Sequence, residues 1–226
     1  MTLNHIGIIP DGNRRYGEKY GLSLQEAYVR GIEKLKEVLG WSQEQGIRIL
    51  TAWGFSTENF ERSVIEKRIF FSLLEKKIKD LISSGELEKN KIKIKIIGRN
   101  DFFSKSLKEL FNTMENLVKA KPKLQLNLAL GYGGRQEIVD ACNQILEHRL
   151  KNITQRTFSK YLYTNQVPDP ELIIRTSGEQ RLSGFFPWQC VYSEIIFLKP
   201  LWPELKKRDF TNAIKEFENR KRRFGK

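Results

Sequence analysis

Six short runs of aliphatic and β-branched residues, at 6–9, 49–55, 92–97, 124–130, 172–174 and 195–198, alternate along the chain with longer segments of helical periodicity. Several of these runs are apolar at successive positions and so have no polar face to offer water. Strands of that kind are buried on both sides, as in a parallel sheet. Between them, apolar residues recur at helical spacing, for example Phe103, Leu107, Leu110, Phe111, Met114, Leu117 and Val118. The alternation predicts an α/β fold with a mainly parallel sheet. No repeat, low-complexity stretch or composition shift marks a linker, residues 166–170 read as a loop, and 226 residues suit one domain over 1–226.

Composition narrows the class further. The chain is 39% hydrophobic and 30% charged, and no apolar run approaches the roughly 18 residues of a membrane span. The strand pattern begins almost at the first residue with no basic and apolar leader, so the expected location is cytoplasmic. Cys142 and Cys190 are too few for a disulfide framework or a zinc cluster. Cys142, at helical spacing with Ile138, Ala141, Ile145 and Leu146, is expected in the core. A net charge of +13 points to polyanionic partners, namely nucleic acid, an anionic membrane surface or diphosphates, and does not choose among them.

In sheets of this kind the ligand site gathers at the carboxyl ends of the strands. The first run leads directly into Pro10-Asp11-Gly12-Asn13-Arg14-Arg15. Gly12 and Asn13 tolerate backbone angles that aim N–H groups at an anion, a following helix adds its positive end, and Asp11 offers the oxygen ligand Mg2+ prefers. The same residues also fit a plain turn before a solvated helix, and this segment alone does not separate the two. Charged or capping residues follow other strands as well: Ser56-Thr57-Glu58-Asn59-Phe60-Glu61-Arg62, Gly131-Tyr132-Gly133-Gly134-Arg135, and Arg175-Thr176-Ser177-Gly178-Glu179-Gln180-Arg181-Leu182-Ser183. Four such loops at one edge favour a functional reading of the set.

Arg175, Arg181 and Ser183 lie within nine positions around a glycine, close enough in sequence to converge on one diphosphate; a structural pairing of Arg175 with Glu179 is the plainer alternative. Glu194, just before the last strand, is a candidate second metal ligand beside Asp11, or simply structural. No Walker lysine loop, dinucleotide glycine fingerprint or aspartate-rich prenyl diphosphate motif is present. With only His5 and His148, histidine-based triads and zinc sites are not expected.

These segments, together with Trp188-Gln189 and Leu201-Trp202-Pro203, resemble the cis-prenyltransferases, the undecaprenyl diphosphate synthase family, in order and over nearly the whole chain. Arg14, in Gly12-Asn13-Arg14-Arg15-Tyr16, is closer to the archaeal and eukaryotic spelling. The resemblance implies a six-stranded parallel sheet flanked by helices, an apolar tunnel, a homodimer, and peripheral membrane contact through the lipid product, with no nucleic acid partner. It implies Mg2+-dependent addition of isopentenyl diphosphate to an allylic diphosphate, farnesyl or geranylgeranyl, giving a Z-polyprenyl diphosphate for glycosyl carrier lipids.

By resemblance Asp11 holds Mg2+ and is catalytic, and Gly12, Asn13, Arg14, Arg15 and Arg62 cradle the allylic diphosphate. Ser56, Glu58 and the catalytic Asn59 form a mobile loop, while Arg175, Arg181 and Ser183 bind isopentenyl diphosphate. Glu194 is a metal carboxylate near the dimer interface, Arg223 reaches the partner's site, and Leu124 lies near the tunnel floor. Leu24 and Tyr28 stand where bacterial members place an arginine and a histidine near the allylic phosphates, and Gln180 and Pro187 depart from the pattern of the second site. The first departure motivates an alternative, a non-catalytic subunit of a two-component synthase. Tyr28 shares an apolar helix face with Gly31, Ile32, Leu35 and Leu39 and is expected to pack toward the tunnel.

Overall fold

The computed structural model describes residues 3–220. Its strands are β1 (His5–Ile9), β2 (Ile49–Ser56), β3 (Ile92–Ile97), β4 (Leu124–Tyr132), β5 (Leu172–Arg175) and β6 (Glu194–Phe197). They form one sheet in the order β3-β4-β2-β1-β5-β6, and every neighbouring pair is parallel. The helices are α1 (Asn13–Tyr20), α2 (Leu24–Glu44), α3 (Val64–Ser84), α4 (Glu86–Lys89), α5 (Lys105–Leu117), α6 (Gly134–Glu147), α7 (Gln155–Ser159) and α8 (Lys207–Asn219).

Strand composition follows position in the sheet. All five residues of the interior strand β1 are buried, whereas the edge strand β3 alternates and turns Lys93 to solvent. The period of two sorts the core. Ile6, Ile8, Leu172 and Ile174 join the larger cluster with residues of α2, α3, α5 and α8, while Ile9 and Ile173 point to the other face and pack with Phe185 and Phe186. Gly54 marks a register shift in β2; a Cβ there would lie 2.9 Å from Leu130 Cδ2.

One packing expectation fails. Cys142 is exposed, and Leu146 is 73% exposed. The buried stripe of α6 is Gly134, Glu137, Ala141 and Ile145, one step around the helix from the apolar set that includes Cys142. No helix among the described residues is long and apolar enough to cross a membrane.

Candidate functional site

The carboxyl ends of β1, β2 and β5 open onto one cavity of about 990 Å³ between the sheet and helices α2 and α3. Its polar end carries Asp11, Gly12, Asn13, Arg14 and Arg15 from the first loop, and Ser56, Glu58, Asn59 and Arg62 from the second. Arg175, Arg181 and Ser183 come from the third. Beyond them the walls are apolar: Leu35 and Leu39 of α2, Leu73 and Ile78 of α3, Leu126 and Leu128 of β4. Leu124 is fully buried in the core and is absent from the lining, whereas Leu126, one step further on the same strand face, is part of it.

The first loop is held open by its surroundings. Gly12 has φ 114°, a left-handed conformation that favours glycine, and a Cβ there would meet Leu201 at 2.9 Å. It caps α1 without a side-chain hydrogen bond, so the first amides of that helix keep their capacity to bind an anion. The carbonyl of Asp11 accepts from Trp202 N at 2.9 Å and from Thr176 Oγ1 at 2.7 Å, which ties the loop to the end of β5. Asn13 donates to Pro10 O at 3.3 Å, and its buried Oδ1 has no partner. That oxygen occupies the space a Cβ at Gly31 would need, at 2.2 Å.

Arg175 is the hub. Its side chain is 6% exposed; Nη2 donates to Asp11 Oδ2 at 2.8 Å, and Nη1 donates to Ser183 Oγ at 2.9 Å and to the carbonyl of Arg181. Its buried Nε is without a partner. The plainer alternative of an Arg175–Glu179 pair is not what forms: Glu179 pairs with Arg15 at 3.3 Å and with Arg181. Arg15 also donates to Asp11 Oδ1 at 3.1 Å and to Ser177 Oγ at 2.8 Å. Burial raises the pKa of the Asp11 carboxyl, but hydrogen bonds from Arg175 and Ser177 and the charges of Arg175 and Arg15 outweigh it and leave the pKa below the ordinary value. Ser177 and Ser183 both have positive φ, at 81° and 52°, so the third loop is held in a costly backbone shape where it faces the cavity.

On the second loop Ser56 and Asn59 cap a 3₁₀ turn (Thr57–Glu61) reciprocally: Asn59 N donates to Ser56 Oγ at 3.3 Å and Ser56 N donates to Asn59 Oδ1 at 3.1 Å. Phe60 of that turn stacks on Phe102, ring centroids 4.1 Å apart. The loop after β4 behaves otherwise than expected. Tyr132, Gly133, Gly134 and Arg135 do not line the cavity; a Cβ at Gly133 would strike Thr57 Oγ1 at 2.2 Å, and one at Gly134 would strike Pro187 at 2.0 Å. These glycines let the second and third loops pack close, which is support rather than contact.

Glu194 is not brought to Asp11 within this chain. It opens β6 in register with Leu172, at the opposite end of β5 from Arg175, and accepts from Arg220 Nη1 at 2.7 Å. Among the described residues no group of three or more His, Cys, Asp or Glu is placed to share a metal ion. The single ionised carboxylate of Asp11, flanked by arginines, does fit Mg2+, which is commonly bound through one or two carboxylates plus substrate phosphates. Arg223 lies outside the described residues. Sequence reasoning passed over Glu66, which meets Arg62 at 2.9 Å and Arg14 at 3.9 Å, and Ser177. Glu66 had a signal, a Ser63-x-x-Glu66 spacing at a helix start, but that pattern ordinarily reports only a cap.

Comparison with known proteins gives concordant matches. The prenyltransferase family model described for undecaprenyl diphosphate synthase matches residues 9–225. The tritrans,polycis-undecaprenyl-diphosphate synthase (geranylgeranyl-diphosphate specific) of Picrophilus torridus is 47% identical over 227 residues, covering 98% of this chain and 89% of that relative. An isoprenyl transferase of Thermus thermophilus is 39% identical, covering 98% and 88%. Among solved structures, lavandulyl diphosphate synthase from Lavandula x intermedia, in complex with dimethylallyl diphosphate, superposes with a TM-score of 0.93 at 32% identity, covering 100% of this chain and 99% of that one.

Proposed function

The chain belongs to the undecaprenyl diphosphate synthase family of prenyltransferases, and from that premise we propose that it is a cis-prenyltransferase. It adds isopentenyl diphosphate successively to an allylic diphosphate and releases a Z-polyprenyl diphosphate, the precursor of a glycosyl carrier lipid. The observation that carries this reading is the continuity of one cavity, whose lining holds both arginine sets at a polar end and apolar side chains of α2, α3 and β4 beyond them. A diphosphate head and a growing hydrocarbon tail need that combination. The geranylgeranyl specificity in the name of the Picrophilus relative supports geranylgeranyl diphosphate over farnesyl diphosphate as starter.

The roles divide by loop. The uncapped start of α1, with Arg14, Arg15 and Arg62, faces the allylic diphosphate, and Asp11 would hold its Mg2+. Bound there, the ion would supply charge neutralisation for the diphosphate group. As the allylic C–O bond breaks, the arginines and loop amides stabilise the same charge in a partly dehydrated pocket. Arg175, Arg181 and Ser183 hold isopentenyl diphosphate so that its double bond attacks the allylic carbon; proton loss then leaves the new Z double bond. Ser56, Glu58 and Asn59 line the same cavity, and the reciprocal cap orients Ser56 and Asn59. The lengthened tail is held along Leu35, Leu39, Leu73 and Leu126.

A homodimer fits the exposed apolar residues Val139 and Leu146 on α6, Val191 and Tyr192 before β6, and the position of β6 at the sheet edge. A cytoplasmic enzyme that touches the membrane through its product fits the lipid character of that product. Of the two departures behind the alternative of a non-catalytic subunit, Tyr28 lines the cavity and bonds to Glu66 and Arg62, which favours the catalytic reading, and Leu24 is not part of the lining. The test is incubation with Mg2+, labelled isopentenyl diphosphate and geranyl, farnesyl or geranylgeranyl diphosphate. Butanol-extractable product, greatest with geranylgeranyl diphosphate, is expected; none with any starter overturns the assignment.

A further inference from the structure

Phe102 is left 44% exposed, while its neighbour Phe103 is buried in the core. Its ring is not idle at the surface. It stacks on Phe60 of the second loop, with centroids 4.1 Å apart and planes 29° from parallel, and the Arg99 guanidinium lies 4.8 Å from its centroid. Neither Phe60 nor Phe102 lines the cavity, so this contact lies outside the groups that face the two diphosphates.

The segment 98–104, which joins β3 to α5 and carries Phe102, is firmly placed. Arg99 N donates to Gly131 O at 3.2 Å, and a Cβ at Gly98, where φ is 122°, would stand 2.2 Å from Leu130 O. Glycine alone allows the segment to lie that close to the end of β4. Arg99 Nε and Nη2 donate to the two carboxylate oxygens of Asp101 at 3.1 and 2.6 Å, which aims the guanidinium. Phe103 anchors the other end, edge-on to Phe71 and Phe111 with centroids 5.7 and 5.3 Å away, and Ser104 caps α5. The second loop has less of its own to hold it. Its five-residue 3₁₀ turn rests on the reciprocal cap of Ser56 and Asn59 and on a bond from Arg62 N to Asn59 O at 3.2 Å. Phe60 lies against the buried Phe55, 4.9 Å between centroids, and against the exposed Phe102.

Resting on the cis-prenyltransferase reading, we propose that Phe102, braced by Arg99, is a positioning residue that latches the second loop in the shape presenting Ser56, Glu58 and Asn59 to the cavity. A single 3₁₀ turn has poor hydrogen-bond geometry and opens easily. The stack adds a side-chain contact from a rigid neighbour at Phe60, the residue next to Asn59. Phe102 acts through that ring. The arginines are tied elsewhere, Arg62 to Glu66 and Tyr28, Arg175 to Asp11 and Ser183, and Arg181 to Glu179, so loosening the latch acts on turnover rather than on diphosphate affinity.

The experiment compares wild type with Phe102→Ala, Phe102→Leu and Phe102→Tyr by two readouts. One is hydrogen exchange at the Asn59 and Arg62 amides; the other is kcat, with KM for geranylgeranyl and isopentenyl diphosphates. Phe102→Ala is expected to speed exchange at both amides about threefold to tenfold, the scale of one aromatic pair. It lowers kcat by about threefold or more, and both KM values stay within about twofold of wild type. Phe102→Leu, which keeps apolar volume without a ring, behaves alike and carries the test if Phe102→Ala fails to fold. Phe102→Tyr keeps the stack and restores both readouts. Wild-type exchange at Asn59 and Arg62 in the alanine and leucine variants, or faster exchange there with unchanged kcat, overturns the latch. Equal acceleration throughout β3 and α5 overturns it too, since that marks a loosened fold. A wild type that makes no product with any starter overturns the synthase reading instead, while exchange still decides whether Phe102 holds the loop.

Discussion

Arg175, the last residue of β5, donates through Nη2 to Oδ2 of Asp11, two residues past the end of β1, at 2.8 Å. The strands are adjacent and parallel, with Ile9 in register with Arg175, so the pair joins the loop assigned to the leaving diphosphate to the loop assigned to the attacking one. Arg15 bridges the same divide from the other side through Asp11, Ser177 and Glu179. The two half-sites therefore share a carboxylate and two guanidiniums, which suits two substrates whose reacting carbons must meet.

Asp11 is the first point at which this can be tested. Asp11→Asn keeps an oxygen for Arg175 but removes the charge. Turnover is expected to fall roughly 10²–10³-fold, the scale for loss of one major electrostatic group, with a thermal midpoint within a few degrees of wild type. Steady-state assay beside thermal unfolding separates the two. Retention of most activity removes Asp11 from the metal role.

Gly12→Ala forces a side chain into a left-handed backbone with Leu201 2.9 Å away. The expected cost is roughly 1–3 kcal/mol, or, if the loop gives way instead, a raised KM for the allylic diphosphate. Urea unfolding and kinetics together read both; a variant unchanged in each contradicts the strained geometry.

His5 gives a pH-dependent stability. Its ring meets Pro168 O at 2.6 Å and Thr51 Oγ1 at 2.7 Å, and burial lowers its pKa to about 4. Above about pH 6.5, the ordinary value, the ring is neutral folded and unfolded, and stability does not depend on it. As pH falls from there toward 4, the unfolded chain takes up a proton the folded chain refuses, so stability drops, by on the order of 3 kcal/mol in total. Urea midpoints at pH 7.5 and 4.5 should show the loss, and His5→Gln should shrink it; the same slope in both proteins contradicts the assignment.

Leu126 is the position at which a limit on tail length is expected. It lines the apolar part of the cavity from β4 and is 3% exposed, so its side chain has little room to turn away. Leu126→Phe is expected to shorten the longest product, read by thin-layer chromatography of the dephosphorylated polyprenols. An unchanged product distribution places the limiting contact elsewhere.

Much of this was legible in the chain. The six strands follow from β-rich runs with no polar face, and the sheet differs from expectation only by one or two residues at strand ends such as Tyr132 and Arg175. Asp11, Gly12, Arg15, Arg62, Arg175, Arg181 and Ser183 meet in one cavity, since each follows a strand of a parallel sheet and such loops share an edge. Glu66 was hidden because an acidic residue at a helix start already has a local explanation. The orientation of α6 was hidden because Cys142 and Leu146 extend its apolar set past the face that can be buried.

The most direct measurement is mass and double-bond analysis of the product from geranylgeranyl diphosphate and ¹³C-labelled isopentenyl diphosphate with Mg2+. A series of polyprenyl diphosphates in which every added unit carries a Z double bond is the predicted result. No elongation, or addition of E units, would contradict it.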